Sequence, residues 1–181
     1  MRIDPYIAGV FFGDGTTHKR KDGAYCVWID QTDKNKIVLE SEVIPRLRKM
    51  KFKTYFYSYY AKADYAVKWR VLIYSKELYL AMRNMFQRIA QYFSALSDED
   101  AVQFIAGLFD AEGTRTDRIV IYNQNLELLE QIKHRLENSN VHNCQIYRFG
   151  PIHGLQIYRK NSVKKFCELI PSCRLKVRLS G

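Results

Sequence analysis

The pattern of apolar and polar positions divides the first half of the chain into helices and strands. Asp4 and Pro5 are typical of the N-cap and first residue of a helix, which the following apolar run extends to about Gly13. Apolar residues at helical spacing predict further helices at 36–49, with a kink or restart at Pro45, and at 76–93. Segments rich in β-branched and aromatic residues predict strands at 24–31, 51–61 and 65–74, with a hairpin turn at 62–64 and another strand hidden near 16–22.

The second half repeats this order of elements. It predicts a helix at 99–111, a strand at 118–123, a helix at 125–138, strands near 143–149 and 154–159, and a helix at 161–170. Acidic residues follow Ser97, where a helix N-terminus favours them, so the linker is short, at about 93–98. We therefore expect two subdomains, 1–96 and 97–181, that dock as pseudo-twofold partners.

A nine-residue motif supports the duplication. Residues 7–15 read IAGVFFGDG and residues 105–113 read IAGLFDAEG, so five of nine positions are identical at an offset of 98 residues. In each copy a strand-like segment follows, ending at Gln31 in the first half and leading to Asn123 in the second. Self-similarity at this offset indicates that the chain contains two copies of one structural unit.

Small residues in the motif predict that the two motif helices cross closely. Gly9 and Gly13 lie four residues apart on one helix face, as do Gly107 and Ala111 on the other, a spacing that lets helix backbones approach. Gly15 and Gly113 follow the last helical turn, where a left-handed glycine is common.

The charged residue of each motif copy is the candidate for chemistry. Asp14 and Glu112 are predicted to lie at the C-terminal ends of two adjacent helices, where a carboxylate is unfavourable and two carboxylates repel. The presence of an acid there in both copies indicates a divalent metal site, because carboxylates and helix-end carbonyls suit hard cations such as Mg²⁺. Such a site could activate water for phosphodiester cleavage.

Net charge indicates the class of partner. The chain has 181 residues with a net charge of +10, and 47% of them are hydrophobic, which excludes a disordered basic tail. The excess lies mainly in residues 1–97, with 17 Lys and Arg against 9 Asp and Glu, whereas 98–181 carry 12 against 10. A polyanion is therefore the expected partner, with nucleic acid ahead of an anionic membrane surface.

Other classes of protein fit less well. The apolar segments fall short of the roughly 18 residues of a membrane span, and the N-terminus does not have the pattern of a signal peptide, so we expect an intracellular protein in cytoplasm or nucleoid. The cysteines form no CxxC pair, which favours buried thiols over a zinc site with the nearby histidines. They are Cys26, Cys144, Cys167 and Cys173.

The two nonapeptides resemble the paired LAGLIDADG motifs of the homing endonucleases, and the chain is similar to their compact single-chain members from archaeal introns. Motif spacing and element order agree along essentially the whole length. The resemblance implies an α+β (mixed α/β) fold of two pseudo-symmetric αββαββα-type units, with antiparallel saddle-shaped sheets and the motif helices at the subdomain interface. It also implies site-specific, metal-dependent cleavage of double-stranded DNA across the minor groove at a long, intron-insertion-type target.

The resemblance assigns roles to individual residues. It implies that Asp14 and Glu112 bind the metal and that the backbone carbonyls of Gly13 and Ala111 complete the coordination. The other catalytic residues that match family positions are Gln31, Asn123, Arg115, Lys76 and Lys160.

The motif departs from the family pattern at two places. Asp110 matches the usual first acid of the second copy, whereas Phe12 replaces it in the first. The second metal-binding acid is Glu112 rather than an aspartate, which could shift the metal.

Alternation along the predicted strands indicates a surface for DNA. In 65–74, Lys68, Arg70, Leu72 and Tyr74 share one face, and in 51–59 two lysines share a face with tyrosines. Arg, Lys and Gln on a ribbon can read base edges, and tyrosines can contact phosphates. The predicted DNA-binding residues are Lys19, Arg20, Lys21, Lys53, Tyr57, Lys68, Arg70, Arg118, Arg148, Gln156, Tyr158 and Arg159.

We therefore expect a monomeric homing endonuclease with Mg²⁺ as cofactor, for which Mn²⁺ substitutes and Ca²⁺ binds without cleavage. Two alternatives of the same fold remain: an RNA maturase that binds intron RNA, and a DNA-binding protein that does not cleave. The paired acids favour the nuclease, since RNA binding alone needs no such pair. A membrane partner is not expected.

Overall fold

The computed structural model describes residues 1–177 as a mixed α/β fold, as predicted. Its helices are α1 (Pro5–Asp14), α2 (Lys36–Val38), α3 (Ile44–Lys49), α4 (Lys76–Gln87), α5 (Ile89–Ser94), α6 (Asp98–Glu112), α7 (Leu126–Asn138), α8 (Lys160–Leu169) and α9 (Cys173–Val177). Its strands are β1 (Gly15–Lys19), β2 (Tyr25–Thr32), β3 (Tyr55–Ala61), β4 (Ala66–Tyr74), β5 (Gly113–Arg115), β6 (Ile119–Asn123), β7 (Cys144–Phe149) and β8 (Ile152–Ile157). The division at 96/97 stays a prediction; α6 begins just after Ser97, whose hydroxyl caps it.

The two halves form sheets with the same strand order. The first sheet is β1-β2-β4-β3 and the second is β5-β6-β8-β7, and every pairing is antiparallel. The strand hidden near 16–22 is confirmed as β1. Its counterpart β5 has three residues and was not predicted from the sequence.

The motif helices α1 and α6 pack against each other at the centre of the molecule. A Cβ on Gly9 would lie 2.1 Å from the carbonyl oxygen of Phe104, and a Cβ on Gly107 would lie 2.1 Å from that of Tyr6. Only glycine permits this approach, so the predicted close crossing is confirmed. The hydrophobic core is continuous from one half to the other through these helices.

Two helices are less regular than the apolar pattern indicates. The segment at 36–49 is helical but contains a π-helical turn, Leu39–Val43, immediately before α3. Pro45, which cannot donate a helical hydrogen bond, lies in the first turn of α3, where that bond is not needed. The predicted helix at 76–93 is broken at Arg88 (φ −130°, ψ 38°), and the break allows Phe93 of α5 to pack on Phe104, with ring centroids 5.2 Å apart.

No helix within residues 1–177 has the length and apolar character that a bilayer crossing requires. The cysteines are free thiols, as predicted; Cys26, Cys144 and Cys173 are buried and Cys167 is half-buried.

Candidate metal and nucleic-acid site

The two motif acids are the last residues of α1 and α6. Gly15 and Gly113 follow them in extended conformation (φ −91°, ψ 153° and φ −81°, ψ 153°), so the expected left-handed cap is wrong. The chain passes directly from each helix into a strand. Glycine is needed there for space, because a Cβ would lie 2.1–2.2 Å from the ring of Phe11 or Phe109.

Asp14 and Glu112 line one cavity of about 600 Å³ between the two halves. Gly13 lies directly against the second motif: a Cβ on it would be 2.5 Å from Cβ of Ala111 and 2.9 Å from Cγ of Glu112. The crossing of the helices thus brings together the ends of both motif copies, as the sequence predicts.

The acids are electrostatically unfavourable in this position. Burial, and then the charge of Glu112, raise the pKa of Asp14 to about 7, against the opposing effect of a hydrogen bond from Gln31. Burial also raises the pKa of Glu112. A pair of carboxylates that is partly buried from solvent, with raised pKa values, is a common feature of functional sites.

Gln31 and Asn123, the polar residues at the ends of β2 and β6, differ in their contacts. Gln31 is buried and donates from Nε2 to Oδ2 of Asp14 at 2.5 Å. Oδ1 of Asn123 instead accepts from the backbone N–H of Asn125 at 2.8 Å, just before α7. Asn123 lines a neighbouring cavity together with Gly13 and Glu112. The structure thus brings both to the acidic pair, but only Gln31 bonds to its acid.

The donor atoms fit a hard divalent cation. The carboxylates of Asp14 and Glu112 can combine with the backbone carbonyls of Gly13 and Ala111. These two carbonyls lie beyond the last hydrogen bonds of α1 and α6, which the carbonyls of Phe11 and Phe109 accept. Within residues 1–177, no group of three or more His, Cys, Asp or Glu side chains is placed so that it could hold a metal ion. Protein carbonyls, water or substrate oxygens must therefore supply the remaining ligands.

Three cationic side chains among the described residues line the acidic cavity: Lys34, Lys68 and Arg174. Lys68 was predicted as a DNA contact; it pairs across the strands with Thr32 and forms a salt bridge with Asp64. Lys34 lies in the 3₁₀ turn after β2. Arg174 comes from α9, the last helix of the described residues.

The cations implied by the resemblance lie elsewhere. Lys76 opens α4, with Nζ 5.7 Å from the ring centroid of Tyr25 at the far end of β2. Lys160 opens α8 and lines a separate cavity with His142. The structure therefore brings neither lysine to the acidic cavity.

Arg115 does not line the acidic cavity either. In β5 it is paired with Ile119, which in turn pairs with Ile157, and both isoleucines are fully buried. The strand register therefore places Arg115 on the face of the sheet that packs against helices. Its charge acts there on the thiol of Cys167 in α8, opposing the effect of burial on the pKa of that thiol.

The opposite face of the first sheet carries a polar and aromatic network. Arg70 forms hydrogen bonds from Nε and Nη2 to the carboxylate of Asp30, both at 2.7 Å. Its guanidinium lies 4.6 Å from the ring centroids of Trp28 and Tyr59. The register places these residues with Lys68 and Tyr57 on one face, as the alternation in 65–74 predicts.

The other predicted DNA contacts lie on strands, turns and loops. Gln156 is paired with Val120 and Gln145, on the face of the second sheet opposite Arg115. Lys53 precedes β3 rather than lying within it, with Nζ 5.2 Å from the ring centroid of Tyr55. Residues at strand ends, in turns or beyond strands are Lys19, Arg20, Lys21, Arg118, Arg148, Tyr158 and Arg159. No contact with DNA is shown for any of these positions, so their role stays a prediction.

Two features of the site were missed. Asp30 precedes Gln31, and the alternation along β2 could have placed it beside Arg70. Arg174 lies 62 residues beyond Glu112, and no local pattern indicates where it folds.

Comparison with known proteins agrees with this geometry. A family model described as a LAGLIDADG-like domain matches residues 99–171. An uncharacterized protein of Methanocaldococcus jannaschii is 29% identical over 185 residues, covering 89% of this chain and 63% of that protein, so the chain spans less than two thirds of that relative. Homing endonuclease I-DmoI of Desulfurococcus mucosus is 29% identical over 146 residues, covering 78% of this chain and 72% of I-DmoI.

Solved structures match almost the entire chain. The crystal structure of I-DmoI in complex with DNA and Mn matches with a TM-score of 0.71 at 25% identity, covering 92% of this chain and 94% of that one. The N-terminal LAGLIDADG domain of DUF199/WhiA matches with a TM-score of 0.65 at 13% identity, covering 93% of this chain and 81% of that one, a likeness of fold alone. The chain is thus similar in sequence and fold to single-chain LAGLIDADG proteins that carry both motif copies, and its residues 99–171 match the family model.

Proposed function

We propose that the protein is a divalent-metal-dependent endonuclease that cleaves both strands of DNA at a long, specific site. The observation that supports this most is the meeting of Asp14 and Glu112 in one cavity, at the junction of two sheets in a chain of net charge +10. The similar protein I-DmoI is a homing endonuclease with structures in complex with DNA and Mn and with DNA and Ca.

In this proposal the motif helices hold Mg²⁺ through Asp14, Glu112 and the carbonyls of Gly13 and Ala111, and Mn²⁺ substitutes. When bound, the metal supplies positive charge that stabilises phosphodiester cleavage. The hydrogen bond that Gln31 donates to Asp14 holds the carboxylate of Asp14 in place at the cavity. Ionisation of Asp14 is the step that prepares the site, because its pKa is raised to about 7.

The sheet faces would bind the duplex on both sides of the acids. Lys68, Tyr57 and the Arg70 network offer cationic and hydroxyl groups in the first half, and Gln156 offers an amide in the second. Cationic groups contribute affinity through phosphates, whereas amide and guanidinium groups can discriminate bases. The first half, with most of the positive charge, is expected to contribute more of the salt-dependent affinity.

A selection experiment identifies the target sequence and tests the proposal together. Duplexes with randomised sequence are enriched on the protein in Ca²⁺, and the enriched duplex is then incubated with Mg²⁺ or Mn²⁺. We expect cleavage of both strands by the wild type, no cleavage by Asp14→Asn or Glu112→Gln with binding retained, and wild-type cleavage by Lys164→Ala, a change at an exposed position on α8.

Three results would count against parts of this proposal. Specific binding without cleavage in either metal would indicate a DNA-binding protein, and preference for folded intron RNA over the enriched duplex would indicate a maturase. Cleavage retained by either acid variant would overturn the metal assignment. Light scattering of the complex tests the expected single protein chain per duplex.

A further inference from the structure

The C-terminal segment supplies a side chain to the acidic cavity, and Asp110 holds this segment in place. Asp110 is fully buried in α6 and accepts hydrogen bonds from Oγ of Ser172 at 2.5 Å and from the backbone N–H groups of Cys173 and Arg174 at 2.9 and 3.0 Å. The hydroxyl of Tyr6 in α1 donates to the same carboxylate at 2.7 Å. A buried carboxylate bonded in this way fixes the start of α9 against both motif helices.

The side chain of Arg174 is directed by this anchor to the end of α6. Its Nη1 donates to the carbonyl oxygens of Asp110 at 3.2 Å and Phe109 at 3.4 Å. It lines the cavity that contains Asp14 and Glu112, whereas Arg115 does not. A cation at a helix C-terminus is favourable, and this one also lies beside two acids that repel each other.

We propose that Arg174 is the active-site cation of the second half, in place of Arg115, which the family resemblance includes among the catalytic residues. It offsets the charge of Asp14 and Glu112 before metal and DNA bind, and it stabilises phosphate charge beside α6 during cleavage. The part of this inference that concerns cleavage rests on the proposed function, whereas the part that concerns the charge of the two acids does not. In support, its charge opposes the upward shift in the pKa of both acids.

Two substitutions separate the charge of Arg174 from its hydrogen bonds. Arg174→Gln keeps an amide donor for the helix carbonyls and removes the charge, whereas Arg174→Lys keeps the charge. Lys164→Ala removes one positive charge from an exposed position on α8 and serves as the control. Circular dichroism and thermal unfolding verify that each variant is folded.

The first measurement is Mn²⁺ affinity without DNA, with free Mn²⁺ quantified by electron paramagnetic resonance. Because a guanidinium beside the acids repels the metal, we expect Arg174→Gln to bind Mn²⁺ roughly three- to tenfold more tightly than wild type. Arg174→Lys and Lys164→Ala should stay within about twofold of wild type. Equal affinities in wild type and Arg174→Gln, or no Mn²⁺ binding by either, would overturn the assignment.

The second measurement is cleavage of a supercoiled plasmid that carries the enriched target. Because Arg174 belongs to one half, its loss should slow one strand more than the other, so that Arg174→Gln accumulates nicked circles while Arg174→Lys and Lys164→Ala produce linear DNA. Equal slowing of both strands, or failure of Arg174→Lys to restore cleavage, would contradict the catalytic role. If wild type cleaves nothing but its Mn²⁺ affinity responds to Arg174→Gln, then the proposed nuclease fails and the placement of the charge stands.

Discussion

Gln31 donates from Nε2 to Oδ2 of Asp14 across 2.5 Å, and this contact opposes the rise in the pKa of the acid. The pKa of Asp14 is raised to about 7, so cleavage at limiting Mg²⁺ should increase as the pH rises through 7. Removal of the donor in Gln31→Ala should move this profile to higher pH, measured as single-turnover cleavage against pH.

Asn123→Ala is the matched control for this profile, because the Asn123 side chain bonds to the backbone of Asn125 rather than to an acid. Its cleavage profile should keep the wild-type midpoint. A Gln31→Ala profile with an unchanged midpoint would show that the hydrogen bond does not control ionisation of Asp14.

Neutralising Asp14 should stabilise the metal-free protein. Its pKa is raised in the folded state from 3.8 to about 7, so the stability associated with its bound proton is present at low pH and is lost as the pH rises through 7. In EDTA at pH 8, Asp14→Asn should therefore raise the free energy of unfolding by about 1–3 kcal/mol, measured by urea denaturation.

The gain in unfolding free energy from Asp14→Asn should nearly vanish at pH 4, because Asp14 of the folded wild type is then protonated and as neutral as the asparagine of the variant. Saturating Mg²⁺ should reverse the order at pH 8, because only the wild type gains binding energy from the metal. An Asp14→Asn variant less stable than wild type in EDTA at pH 8 would contradict this explanation.

Because α1 and α6 cross closely at Gly9 and Gly107, even a methyl side chain at either position should lower the free energy of unfolding considerably. Gly9→Ala or Gly107→Ala places a Cβ 2.1 Å from a carbonyl oxygen of the other helix, so each should lower the free energy of unfolding by roughly 2–4 kcal/mol. Gly23→Asn is the control, because its position is open and Asn tolerates a positive φ. Chemical denaturation of the three variants measures the difference; equal losses would refute the crossing geometry.

Asp110 should be far more sensitive to substitution than its exposed acidic neighbours. Asp110→Asn presents an amide N–H to a site occupied by donors from Tyr6, Ser172 and the backbone of α9, and should cost about 2–4 kcal/mol of unfolding free energy. Burial and the adjacent carboxylate raise the pKa of Tyr6, which keeps its hydroxyl a donor. Asp117→Asn, in an exposed turn, should leave the denaturation midpoint unchanged, and a similar response of both variants would argue against the anchor.

The salt dependence of DNA binding tests the sheet surface. Wild-type affinity for the enriched duplex should fall steeply with salt, and Lys68→Ala should reduce the slope of log K against log [salt] by about one. Lys164→Ala should keep the wild-type slope. Fluorescence anisotropy over a salt series measures both, and an unchanged slope in Lys68→Ala would remove this lysine from the phosphate contacts.

Local pattern was sufficient for most of the helices and strands and for the acidic pair. The motif copies at 7–15 and 105–113 predicted two helices that cross at glycines, and the alternation along β4 predicted which face carries Lys68 and Arg70. These features depend on residues a few positions apart, where helix and strand periodicity are directly readable.

The remainder of the site depends on distant contacts. Arg174 reaches the cavity because Asp110, 64 residues earlier, accepts from its backbone N–H. Arg115 faces the helices because β5 pairs with β6 in one register, and a strand of three residues gives no periodic signal. Gly15 is extended because β1 begins there and pairs with β2, a pairing that the motif alone does not show.

Phe12 and Asp110 occupy the same position of the two motif copies but have different partners, and this difference restricts how the two halves can be recombined. Phe12 packs against Phe86 of its own half, with ring centroids 5.0 Å apart, whereas Asp110 accepts hydrogen bonds from residues 172–174. At this motif position a first half therefore carries its own partner into a chimera. A second half must be transferred with its C-terminal segment, because a chimera that omits this segment would leave the buried carboxylate of Asp110 without the donors of residues 172–174.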